Sequence, residues 1–353
     1  MTAVRAVAPV GRAVRRPWLR WLLARLGSAA LVAWVVATVV FFALRAAGGD
    51  PTEAILGGPG SQAGPEAVAA ARAQYGLDQP LVVQYLVQLW RVATFDLGDS
   101  YARRVPVSDL LAEQLPGTML LAVLALALAW LLALAVATLA VRATGPVGRA
   151  CAAALRGAEV VAAVLPHFWL GAVLIVVFSS TLGWFPATSS GTDPVGLVLP
   201  TVTLAVPVAG FLGQVMRDSL EEAAAAPFAT SARARGASPV GVLWRHTLRH
   251  GVLPAVSLSG WAFGSLLSGA VVVETLFGRP GLGRLLLDAT MQRDVPVVVG
   301  AVVVVALAYV VVMLLVDVAE RLLDPRLRGA AEVPALVGGA ARAARADEPA
   351  VLG

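Results

Sequence analysis

The sequence contains no lysine: all 27 of its basic residues are arginine. A nucleotide-binding loop of the form GxxxxGK followed by Ser or Thr needs that lysine on the phosphates, so this chain carries no ordinary site of that kind. Any ATP it depends on must be handled by another subunit. Cysteine is nearly absent as well, and a lone Cys151 excludes an internal disulfide and a cysteine-ligated zinc. Charge is scarce. With 14% charged and 58% hydrophobic residues, the chain is far too apolar for a soluble globule.

What is abundant is alanine, valine and leucine, in blocks rather than at helix or strand spacing. Uncharged runs fall at 26–44, 117–141, 160–182, 194–216, 251–273 and 295–316. Each is near the roughly 20 residues a helix needs to cross about 30 Å of hydrocarbon. They predict an all-α integral membrane protein with six transmembrane helices. The first run follows several arginines, as a signal peptide would. Its 19 residues exceed the usual apolar stretch of about 7–15, and no small-x-small cleavage pattern precedes "RAAGGDP", so it is expected to be retained as a helix.

A pI near 10.3 raises the question of nucleic acid, but arginine placement gives a better account. With both termini cytoplasmic, 19 arginines fall inside and 8 outside. This is the positive-inside asymmetry, so basicity encodes topology and no nucleic-acid partner is expected. The expected organisation is a cytoplasmic arm at 1–25, a first span at 26–44, an extracytoplasmic helical cap at 45–116, a core of five further spans at 117–325, and a disordered cytoplasmic tail at 326–353. Within the cap, Val82, Tyr85, Leu86 and Leu89 recur at helix spacing after a turn at Asp78 and Pro80. The cap either braces the spans or meets a partner. Pro166 in the third run, and Pro200 and Pro207 in the fourth, are expected to kink their helices.

Few ionisable residues lie within the runs: His167 is the plain case, and Glu159, Glu274 and Asp317 sit at their ends. Carriers coupled to protons or ions need such groups along their path, so this scarcity argues against a secondary carrier. His167 reads as a hydrogen-bonded packing residue. His246 and His250, four apart, lack a third ligand nearby, so no metal site is expected.

Residues 217–250 form a basic insert between the fourth and fifth runs. Arg217 to Ala226 extends the preceding span, and Pro227 suits the first turn of a new helix. Phe228 and Ala232 share a face, with Arg233 and Arg235 beside them. Gly236 takes the place after a helix end where positive φ is needed, and Ser238-Pro239 gives an N-cap followed by proline. The reading is helix, sharp turn, helix. On the second helix Val240, Leu243, Trp244, Thr247 and Leu248 make one stripe suited to a membrane interface. The first, small-faced helix is left to dock in a groove, with arginines to orient it.

This insert resembles the EAA loop of ABC-transporter permeases of the dipeptide/oligopeptide/nickel importer family, specifically the B-type subunit. The family pattern is close to aromatic-x-R-T-A-R-A-K-G, sixteen residues, then L-P. This chain has Phe228, then Ser231, Ala232, Arg233, Ala234, Arg235 and Gly236, and Leu253-Pro254 at that interval. The likeness extends over roughly 20–328 through "GGDP", "YGLDQP", "DLGDS", "ETLFGRPGLGRLLLDA", "RDVP" and "DPRLR". It departs at Ala226-Pro227, where an acidic pair is usual, at Thr230 in place of arginine and at Arg235 in place of lysine.

The resemblance implies a type I ABC importer permease fold in a bacterial inner membrane, surrounded by lipid. The implied partners are a related C-type permease, two ATP-binding subunits seated on 228–236, and an extracytoplasmic solute-binding protein. ATP and Mg would be bound by those partners, and this chain would carry no cofactor and no catalysis. Peptides are the implied substrates, with nickel chelates, glutathione or another small solute as alternatives. A stand-alone carrier, or a membrane anchor whose insert recruits a signalling partner, are the readings from other classes.

Overall fold

In a computed structural model, the chain is described at residues 17–46, 48, 52–57, 63–189 and 193–323. The first part of the N-terminal arm, Gly49-Asp50-Pro51 and the whole segment from Asp324, which includes "DPRLR" and the expected tail, lie outside the described residues. Fourteen α-helices are described and no strand among them. Five are long and apolar enough to cross a membrane: α1 (Pro17–Ala46), α5 (Val107–Arg142), α8 (Val198–Ala225), α12 (Leu253–Leu276) and α14 (Val295–Leu323). A sixth span arises only if α6 (Gly145–Val164) and α7 (His167–Leu174), with its π-helical continuation Ile175–Thr181, are taken together. They bend by 107° at their break.

That break corrects the reading of 160–182 as one kinked helix. Pro166 follows Leu165, whose extended backbone is what a residue before proline prefers, so α6 stops rather than bends. α8, by contrast, continues through Pro207, and Pro200 sits in its first turn, where no intrahelical donor is needed.

The core is built on small residues. Ala125, Ala129, Ala133 and Ala137 of α5 recur one turn apart and are fully buried or nearly so, in one apolar cluster with Leu204 and Leu212 of α8 and Phe263 and Leu266 of α12. Lipid tails are as apolar as leucine, so the spans gain by close approach, which small side chains permit. α8 repeats the device on its other side. A Cβ added at Gly210 would lie 2.6 Å from the backbone nitrogen of Ala163 and the oxygen of Glu159, so α6 crosses there in near backbone contact.

Between α1 and α5 lie α2 (Thr52–Ile55), α3 (Pro65–Gln74) and α4 (Leu81–Thr94). The expected apolar face of α4 splits: Tyr85 and Leu89 pack inward, whereas Val82 and Leu86 are exposed. Polar partners choose the inner side. Tyr85 shares a 2.8 Å hydrogen bond with Thr38 of α1, and Arg45 donates to Gln84 Oε1.

Two buried carboxylates tie the loops to the spans. Asp294 accepts hydrogen bonds from Ser100 Oγ and, at 3.1 Å, from the backbone N–H groups of Tyr101 and Ala102, joining "RDVP" to the loop after "FDLGD". Burial pushes the neighbouring Tyr101 phenol up to about 12. Glu274 caps α13 (Leu282–Met291) from another helix. Its carboxylate accepts from the N–H of Gly283 at 2.8 Å, the N–H of Arg284 at 3.1 Å and the Thr118 hydroxyl, whose oxygen in turn accepts from Leu282 N–H at 2.8 Å. The first three donors of α13 are thus satisfied by α5 and α12.

Candidate functional site

α8 ends where the basic insert begins, and the insert folds as helix, turn, helix. α9 spans Pro227–Ala234, with Pro227 in its first turn. Gly236 has φ +85°, its N–H donates to Arg233 O at 2.9 Å, and Ala237 N–H donates to Ala232 O at 3.1 Å. That pair of bonds, with Ala237 packed on the α9 apolar contact, is a Schellman ending, and the positive φ is what requires glycine. Ser238 Oγ then accepts from Gly241 N–H at 3.1 Å, starting α10 (Pro239–Val242). Helical backbone continues through a π-helical turn, Leu243–Thr247, into α11 (Leu248–Gly251) and then α12.

The inward side of α9 differs from the sequence reading. Ala229 and Ala232 are its buried residues, closing on Val242, so Ala232 holds the two helices together and is not free to meet a partner. Ser231, Ala234 and Arg235 are exposed. Phe228 is partly exposed and packs at a 45° tilt against the His250 ring, 4.9 Å between centroids. Arg233 folds back, both terminal nitrogens 3.2 Å from Ala224 O and one 3.1 Å from Thr230 Oγ1. A guanidinium there satisfies a last carbonyl of α8 and suits the negative end of its dipole. Leu253 and Pro254 open α12 and take no part in the α9 contact.

The expected stripe on the second helix splits as well. Leu243 and Thr247 are buried while Val240 and Trp244 are exposed, and Val242 takes the inward place. A π-helical turn has more residues per turn than an α-helix, which rotates the stripe out of α-helical register.

These helices are joined firmly to the spans. Gly251 lies against Leu220 of α8 so closely that a Cβ there would run into the Leu220 side chain. Above that contact Arg217 pairs with Glu159 of α6 at 2.9 Å, both nearly buried, and Arg156 pairs with Glu221 at 2.8 Å. Asp317 of α14 pairs with Arg25 of α1. His167 is the exception to pairing: it packs beside Gly269, and its Nε2 has no hydrogen-bond partner among the described residues, contrary to the sequence reading.

Residues 144–329 match the family described as binding-protein-dependent transport system inner membrane component, and residues 18–122 match the N-terminal component of such membrane proteins. The chain belongs to this family. It is 36% identical over 316 residues to a putative peptide transport system permease protein of Brucella abortus, covering 87% of this chain and 98% of that one. A probable peptide ABC transporter permease protein of Sinorhizobium fredii is 35% identical, covering 87% and 99%. The glutathione transport system permease protein GsiC of Salmonella typhimurium is 33% identical, covering 88% and 99%.

The chain is therefore a multi-pass membrane permease. Several residues that hold this permease's insert in place escaped the sequence reading. Ala229, Leu220 and Gly251 carry the packing, and the Ala224 carbonyl anchors Arg233. A glycine opposite a leucine 31 residues away leaves no local signal. The spacing of Ala229 and Ala232, three apart on a short helix, was the one available clue to the buried side.

Proposed function

We propose that this permease is the membrane-spanning, non-catalytic subunit of an ATP-driven importer for di- and oligopeptides. It forms half of a pathway completed by a C-type permease, and receives substrate from an extracytoplasmic binding protein. In this reading both termini and the α8–α12 insert lie in the cytoplasm, and α2 to α4 lie outside. One of two ATP-binding subunits docks on the α9 surface formed by Phe228, Ser231, Ala234 and Arg235.

One observation carries the coupling role: α9 is exposed on one side and fastened on the other to both α8 and the run into α12. A force applied to α9 has a short, packed route into two spans through Arg233–Ala224 and Gly251–Leu220. The absence of lysine supports a separate ATPase. Peptide substrates are supported by the names of relatives that match nearly end to end, and the glutathione permease among them keeps small thiol peptides within the same class.

Reconstitution tests this reading. Proteoliposomes holding this chain, a C-type permease, both ATPases and the binding protein should take up a labelled dipeptide only with internal ATP and only when every subunit is present. Flux driven by an ion gradient through this chain alone would overturn it.

A further inference from the structure

α4 carries an apolar face that no other part of the described chain covers. Val82, Leu86 and Trp90 are 67%, 57% and 71% exposed, and Val83 and Val87 beside them are exposed too. The polar side chains of its first three turns face the other way: Gln84 and Tyr85 bond to α1, Gln88 is buried, and Arg91 lies against Gly98. A water-facing helix shows the reverse pattern.

The height of α4 decides what covers that face. Arg25 and Arg45 enclose a stretch of α1, 26–44, without a single charge, about 30 Å at 1.5 Å per residue and so one hydrocarbon thickness. Thr38 lies seven residues inside Arg45, about 10 Å below that boundary. Yet the Tyr85 hydroxyl reaches it at 2.8 Å and its ring packs on Phe41 and Phe42, while Gln84 meets the Arg45 guanidinium where that folds back over the Phe41 ring. Val92 of α4 belongs to one apolar cluster with Ala37 of α1 and with Val295 and Val299 in the first turns of α14. α4 therefore lies at the edge of the hydrocarbon beside α1, with the Tyr85 side chain reaching into its last ~10 Å. Val35, Val39 and Phe42 on the adjoining part of α1 are exposed apolar residues as well.

We infer that α4 is an interfacial membrane helix whose Val82–Trp90 face is covered by lipid of the leaflet nearest α2 to α4. Trp90 and Phe95 sit at the chain end of that face, and tryptophan favours headgroup depth. The face bears no charge, so its seating depends on apolar burial and not on anionic headgroups. The segment between α1 and α5 is thereby held at a fixed level on the bilayer and travels with α1 and α14 when those spans move. This inference rests on the chain being a membrane protein and is independent of the transported substrate.

Spin-label accessibility tests it in the assembled transporter in proteoliposomes. Val82→Cys and Leu86→Cys are made in a Cys151→Ser background, with Glu66→Cys on α3 as the aqueous control. Oxygen access should exceed nickel-chelate access at 82 and 86 and fall below it at 66, equally in neutral and anionic lipid. Nickel-chelate access at 82 and 86 would show water on this face and overturn the inference. Immobilised labels reached by neither reagent would show a protein cover and overturn it as well.

Discussion

Arg233 leaves the exposed side of α9 and places both terminal nitrogens 3.2 Å from the carbonyl oxygen of Ala224, so the helix offered to a partner is strapped to the end of α8 by its own side chain. Arg233→Ala should remove that strap. A hydrogen bond from an exposed charged group contributes about 1 kcal/mol, enough for a several-fold loss of ATP-driven uptake with membrane insertion unchanged. Arg233→Lys, a point charge without the planar fork, should recover part of it. Wild-type uptake by the alanine variant would show that the strap transmits nothing.

Gly236 has φ +85° and open space where a Cβ would stand. Substitution there strains the backbone without a clash, about 1 kcal/mol for alanine and more for a branched residue. Gly236→Val should therefore abolish uptake, and Gly236→Asn should retain much of it because asparagine tolerates the left-handed region. Equal loss for valine and asparagine would point to a steric requirement at the partner instead.

Gly251 and Leu220 should behave as a coupled pair. Gly251→Ala forces a Cβ into the Leu220 side chain, an overpacking cost of about 1–3 kcal/mol, while Leu220→Ala leaves a cavity costing about 2–5 kcal/mol. The double variant should be no less stable to heat than Leu220→Ala alone. Thermal midpoints in detergent that simply add would contradict the contact.

Glu274→Ala should be among the most damaging single changes outside the insert. It strands the N–H groups of Gly283 and Arg284 and the Thr118 hydroxyl in a buried site, about 3–5 kcal/mol. Glu274→Gln, which keeps an acceptor oxygen, should lose less. The purified yield and thermal midpoint of the two variants check the order.

Much of this architecture is legible in the sequence where glycine, proline and uncharged runs punctuate it. Pro227, Gly236 and Ser238-Pro239 mark the insert's helices because each residue acts through its own backbone. The 107° break at Pro166 is harder, because proline announces a stop or a kink with the same letter and neighbouring helices decide between them. Long-range pairing is hardest of all. Nothing near Glu274 foretells that it caps α13, although the glycines of "RPGLG" are the clearance it needs: a Cβ at Gly281 or Gly283 would meet its carboxylate. Likewise Arg217 and Glu159 find each other across 58 residues, and Ala232 turns inward through contact with Val242 on the following helix.

The central claim is that ATP-driven motion enters this permease through α9, and photocrosslinking from Ser231 tests it most directly. Ser231 is exposed and its side chain lies outside the apolar contact that holds α9 to the next helix. A photoreactive residue at 231 in the assembled transporter should crosslink to an ATP-binding subunit, with a yield that changes between nucleotide-free and ATP-bound states, while one at Glu66 should not. Efficient crosslinking from 66 to the ATPase, or none from 231 in a transporter that still imports with ATP, would contradict the account.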